Sequence, residues 1–274
     1  MNSHLGRLIY GGLLVLSVPF WNTLQAATGP ATIIDVSGGC AGTAERTNLA
    51  AALTTAGYTV TTITTGVVPS DLTGQKQVWD IRCTSALTGP ESIVFTAYLV
   101  SGGSLFLMGE NTGFGAARDA TLISYISAVG GGSLTLTGTA DSQTAQPPFT
   151  GPTTLSTLSY RAVAGTTTAG TGAFVTQDTS GYGGAIVFGP GSLSSAPSGT
   201  LIIVWDVNFM DGSRTAGETA LLDNLIAYLA APVPIGTPTV PTVPTAPALS
   251  PRSMVVLSLL LGCAGSLLLR RRFA

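Results

Sequence analysis

Apolar positions along the chain alternate between short runs and helical repeats. Residues 32–36 form a β-branched run that reads as a first strand. Residues 45–56 follow with Leu49, Ala52, Leu53 and Ala56 on one helical face, and Gly57 stops them. Residues 58–63 alternate Thr with apolar side chains as a second strand, and 77–82 read as a third. Pro90 marks a helix start, Ile93, Val94, Ala97 and Tyr98 supply its apolar stripe, and Gly102-Gly103 end it. Residues 104–108 are continuously apolar, as a strand buried on both faces requires. A helix is expected over 116–129, ended by three glycines. Residues 139–180 are rich in Thr and Gly and read as loops with short strands. Strands return at 185–188 and 201–206, and 218–229 form a last amphipathic helix through Leu221, Leu222, Leu225, Ile226 and Leu229. The alternation predicts an α/β three-layer sandwich around a mainly parallel sheet over residues 28–231.

Both ends of the chain differ from this pattern. Arg7 precedes an apolar run of about a dozen residues, and Leu24-Gln25-Ala26-Ala27 supplies small side chains after it. Residues 1–27 therefore read as a secretory leader cut after Ala26 or Ala27; an uncleaved anchor is the alternative, weakened by Pro19 inside the run. Residues 232–251 are dense in Pro and Thr, which favours an extended, semi-rigid spacer. Residues 253–269 are uncharged and apolar, a transmembrane helix of about 26 Å at 1.5 Å per residue. Arg270-Arg271-Arg272 would hold its far end on the cytoplasmic side.

Charged residues make up 9% of the chain against 45% hydrophobic ones, which excludes a disordered polyelectrolyte. The span between leader and spacer holds all 13 acidic residues and six basic ones, a formal charge of −7. That balance, with Lys76 as the single lysine, argues against nucleic acid as a partner. The sole histidine, His4, lies in the expected leader. The mature chain would then lack the imidazole on which Ser-His-Asp and Cys-His catalysis and most zinc sites depend. No nucleophile motif or phosphate loop is present, and enzymatic activity is the minority reading.

Spacer, apolar segment and basic tail together resemble the C-terminal sorting signals of Gram-negative surface proteins, of the IPTL-CTERM type related to PEP-CTERM. That family's core reads roughly Ile-Pro-Thr-Leu-Ser-Glu-Trp-Gly-Met. Here Pro247, Leu249, Ser250 and Met254 match it, and the positions between them differ. The resemblance implies a processing protease of exosortase type and two locations: an inner-membrane anchor facing the periplasm, or the cell surface after cleavage. An extracellular polysaccharide becomes a candidate partner. The stretch from Tyr98 to Leu107, the strand before it, and Asp223-Asn224-Leu225-Ile226-Ala227-Tyr228-Leu229 resemble the class I glutamine amidotransferase-like fold, a flavodoxin-like α/β sandwich. Where that family places a cysteine after its central strand, this chain has Gly109-Glu110-Asn111, so the resemblance implies the fold without the catalytic signature.

In a flavodoxin-like strand order 2-1-3-4-5, the first and third strands are neighbours. Cys40 and Cys83 follow those two strands, and an oxidising compartment would let them pair as a disulfide; two buried free thiols are the alternative. The same order gathers Asp35, Asp80, Glu110, Asn111, Asp206 and Asn208 at the carboxyl edge of the sheet, where open α/β folds bind ligands. They form either a small pocket for a sugar, peptide or hard cation, or a set of caps for helix starts and loop amides. The run from Asp206 to Gly212 has a weak likeness to a calcium loop, with its third acid displaced by one and no distal Glu, so Ca2+ is the single cofactor considered.

The predicted role is an exported, envelope-anchored or surface-sorted protein with a non-catalytic binding or structural domain. Alternatives are a carboxylate-dependent hydrolase of envelope glycan or peptide, and a cation-dependent adhesion module.

Overall fold

A computed structural model describes residues 29–35, 43–82 and 84–230. The expected leader (1–27), spacer (232–251) and membrane segment with its basic tail (253–269 and 270–272) lie outside the described residues, as do Cys40 and Cys83. All described residues belong to the first of two units, Met1–Val233, the second being Pro234–Ala274. Among the described residues no helix is long and apolar enough to cross a membrane.

The first half alternates as its periodicity predicts: β1 (Gly29–Ile34), α1 (Ala44–Thr55), β2 (Tyr58–Ile63), α2 (Pro69–Leu72), β3 (Gln77–Asp80), α3 (Gly89–Val100), β4 (Ser104–Met108) and α4 (Ala116–Ala128). The short helix α2 is one that the sequence pattern does not indicate. Gly57 ends α1 at a φ of 91°, a conformation that a side chain would strain. At α3, Thr88 and Glu91 form a capping box. Thr88 Oγ1 accepts from the Glu91 amide, Glu91 Oε2 accepts from the Thr88 amide at 3.0 Å, and Pro90 sits in the first turn. β5 (Leu136–Gly138) precedes the Thr/Gly-rich stretch, which carries the short strands β6 (Ser142–Ala145), β7 (Thr157–Ser159), β8 (Ala164–Thr166) and β9 (Ala173–Gln177). β10 (Ala185–Phe188), β11 (Thr200–Val204), a 3-10 turn (Val207–Met210) and α5 (Ala216–Ala230) complete the fold.

Nine strands make one sheet in the order β2-β1-β3-β4-β11-β10-β9-β6-β7, and β5 pairs with β8 apart from it. The 2-1-3-4 order holds. The next parallel place is taken by β11, and beyond it every pairing is antiparallel. The sheet is mainly parallel as expected, from β2 to β11, and an antiparallel extension continues it from β11 to β7. Short strands returning directly upon one another need no crossover helix, which is why that half shows no helical periodicity.

Successive side chains on a strand face opposite layers. Gln77 Nε2 donates to Ile226 O of α5 at 2.9 Å, and Trp79 stacks on Phe106, which meets Phe209 on the same side. Asp80 faces the other way, onto α3 and α4. α1 and α5 thus cover one face, and α3 and α4, joined by the Phe95–Tyr125 edge contact, cover the other. The core between them includes Trp79, Phe95, Phe106, Phe188 and Trp205, all fully buried.

Candidate functional site

The carboxyl ends of β1, β3, β4 and β11 carry the strand-end acids to one edge, and burial sorts them into two groups. The first group is neutralised by arginine. Asp35 lies 2.9 Å from Arg46 Nη1 of α1. Asp80 is fully buried, and the Arg82 guanidinium grips it in a fork, Nε to Oδ1 at 2.9 Å and Nη2 to Oδ2 at 2.7 Å. Arg82 Nη1 continues to Glu91 Oε1 at 2.6 Å, so the residue that caps α3 also balances this arginine. Arg118 of α4 brings Nη2 to 3.1 Å from Asp80 Oδ1, an ionic contact off the hydrogen-bonding direction, while its Nε and Nη1 donate to the carbonyls of Met108 and Ser85. Two acids and two arginines leave this buried cluster neutral. Although burial raises the Asp80 carboxyl, the charges of Arg118 and Arg82 and the hydrogen bonds from Arg82 outweigh it and hold the group below its ordinary value; Glu91 is held low against its burial by the Thr88 amide first and then by Arg82.

A second group has no arginine on its carboxylates. Glu110 follows β4 and is 2% exposed; Oε1 accepts from the Asn111 amide at 2.9 Å and from Asn111 Nδ2 at 3.0 Å, and Oε2 accepts from the Val207 amide at 3.3 Å. Asp206 follows β11 and is fully buried; Oδ2 accepts from the Arg161 amide at 2.7 Å and Oδ1 from the Asn208 amide at 2.8 Å. Asp119, in the first turn of α4, takes the Glu110 amide on Oδ1 at 3.0 Å, while its Oδ2 is buried with no partner among the described residues. Burial pushes all three upward, Asp206 to about 7 and Asp119 to about 6, and the Glu110 charge adds to both. Gly109 sits beneath the Trp205 ring; a Cβ there would overlap the ring and reach 3.0 Å from Asp119 Oδ1.

The edge thus brings Glu110, Asn111, Asp206 and Asn208 together through the Val207 amide, and leaves Asp35 and Asp80 on separate ion pairs. Asn111 Oδ1 accepts the Gly113 amide and Asn208 Nδ2 donates to Arg161 O, so both amides brace their own loops. Sequence reasoning missed Arg82, Glu91, Arg118 and Asp119. The Thr88-x-x-Glu91 spacing of a capping box was a signal for Glu91. In the loop likened to a calcium site, Asp206 caps the 3-10 turn and Asp211 pairs with Arg161 Nη1 at 2.6 Å. Among the described residues, no group of three or more His, Cys, Asp or Glu is placed to hold a metal ion. At the opposite, amino edge a cavity of about 560 Å³ opens beside Leu72, Lys76, Val94, Ala97 and Tyr98.

No family model and no curated protein sequence matches the chain. Among solved structures, the N-terminal domain of mmIFT52 superposes with a TM-score of 0.57 at 12% identity, covering 74% of this chain and 98% of that one. A ThuA-like protein from Parabacteroides merdae gives a TM-score of 0.49 at 8% identity, covering 74% and 90% of the two chains. One from Bacteroides uniformis gives 0.46 at 15%, covering 73% and 91%. The first likeness shows a shared fold, and a shared fold does not carry function with it.

Proposed function

We propose that the protein is exported, is held at the envelope or sorted to the cell surface by its C-terminal signal, and presents there a non-catalytic binding or structural domain of glutamine amidotransferase-like fold. The observation that carries the non-catalytic reading is Glu110. It lies in the Gly109-Glu110-Asn111 stretch that takes the place of the nucleophile in the family it resembles, and both its oxygens are engaged by neighbouring amides. The site beside it is filled by the Trp205 ring over Gly109. A nucleophile needs an open approach and a base within hydrogen-bond reach. The leader, the Pro/Thr spacer and the apolar segment with its arginine tail support export and anchoring, and a processing protease of exosortase type would release the domain to the surface. An extracellular polysaccharide is the partner class that such a location favours.

The hydrolase reading draws on one specific observation, that Asp206 is pushed up to about 7, where an acid can donate a proton near neutral pH. Its complete burial beneath two backbone donors favours a structural proton instead. The test is intact mass of the protein recovered from cell fractions, with glycan and peptide hydrolysis assayed beside the Glu110→Gln and Asp206→Asn variants. A mass lacking the leader, in envelope or surface fractions without carboxylate-dependent hydrolysis, is expected. A cytosolic chain beginning at Met1, or hydrolysis abolished by either variant, overturns the proposal.

A further inference from the structure

β2 is an edge strand, bonded on one side to β1 alone. The Asp35 amide donates to Ile63 O, and the even-numbered β1 carbonyls of Pro30 and Ile34 accept from the β3 side. Alternation along a parallel ladder then turns the N–H and C=O of Thr59, Thr61 and Ile63 toward β1, and those of Tyr58, Val60 and Thr62 outward. Among the described residues nothing bonds that outward row. Its register with β1 runs unbroken over six residues, with no bulge. It also lacks the proline or lysine with which exposed edges are ordinarily blunted.

The charge pattern around this edge selects the occupant. Residues 47–70, which span most of α1, all of β2 and the loop after it, contain no charged side chain, in a domain that carries −7. Across a two-fold axis every residue meets the same patch of its own copy, so any charge near the axis faces its like. We infer that β2 is a self-association edge, where a second copy of this chain pairs antiparallel with it and joins the two sheets into one. Centring the axis on Val60 makes Val60 face its own copy and Tyr58 face Thr62. Each facing pair exchanges two backbone hydrogen bonds, about six in all. Thr59 and Thr61, both exposed, then meet as a neutral cross-strand pair. The inference is independent of export and of any catalytic role.

Val60→Pro removes one outward N–H and leaves the bonds to β1 intact, because the Val60 amide does not point at β1. Val60→Lys retains the backbone and sets two like charges opposite each other. Sedimentation of the full chain in mild detergent across a concentration series is expected to show a reversible two-chain species that both variants lose while their circular dichroism still reports a folded domain. Amide exchange at Val60 and Thr62 should slow as wild-type concentration rises. A wild-type chain that stays monomeric at every concentration, a dimer that survives in both variants, or protection of β2 only by a different protein's extended segment overturns the inference.

Discussion

Raising the pH through neutrality deprotonates the buried acids at the carboxyl edge, and stability should fall as it does. Asp206 rises from its ordinary 3.8 to about 7 in the fold, chiefly through burial, with the Glu110 and Asp141 charges adding to it. A group whose folded pKa is raised contributes stability that is complete below the unfolded value and is lost as pH climbs through the folded one. The window therefore opens near pH 4 and closes just above pH 7, and the whole displacement is worth ~4 kcal/mol. Asp119, raised to about 6, adds in the same direction and finishes earlier. The arginine-bound acids act oppositely: Asp80 and Glu91 are held low, so their contribution is lost below about pH 4. Stability should peak between those limits, at about pH 4–5, and decline to a plateau above about pH 7.5. At 2–4 °C per kcal/mol for a domain of this size, the melting temperature should drop by about 10 °C from pH 5 to pH 8. The assay is thermal unfolding followed by circular dichroism across that range. Asp206→Asn cannot titrate and turns an amide toward a backbone donor, so it should be less stable than wild type at pH 5, with the gap narrowing by pH 8. A melting temperature flat to within ~2 °C over the range, or the same slope in Asp206→Asn, would refute the account of a buried proton at Asp206.

Arg118→Met leaves Asp80 and Glu91 with one arginine between them and two carbonyls without their donor, which should cost ~3–5 kcal/mol in urea unfolding. A loss below about 1 kcal/mol would mean the cluster behaves like an exposed ion pair. Gly109→Ala forces the Trp205 ring out of place and should destabilise by ~1–3 kcal/mol, seen as a shifted near-ultraviolet band and an earlier melt. An unaltered Trp205 signal counts against that packing. If the protein enters an oxidising compartment, a Cys40–Cys83 disulfide is predicted, since the two cysteines follow strands β1 and β3, which pair. Thiol labelling of unreduced, denatured protein at both cysteines would exclude the bridge.

The local layer is readable along the chain: the alternation of strand and helix through α4 apart from the short α2, the stops at Gly57 and Gly102-Gly103, and the placing of Asp35, Asp80, Glu110 and Asp206 at strand ends. These are legible because a period of 2 or 3.6 and a glycine stop depend on residues close together in the chain. Tertiary structure alone decided which acids are neutralised. Asp80 and Asp206 are both buried acids at the ends of parallel strands, yet one meets Arg82 and Arg118 and is held low, while the other has no cation on its carboxylate, so burial raises it to about 7 against the two backbone amides that pull it down. Nothing in the local pattern marks Asp119 among the polar positions of its helix; only packing closes over it beside Glu110. The antiparallel half of the sheet escaped the sequence reading because strands such as β6 and β7 are too short to establish a period, and their pairing is set by partners farther along the chain. The charge state of a buried acid is fixed by whatever lies within a few ångströms of it, and that neighbourhood exists only once the layers have packed.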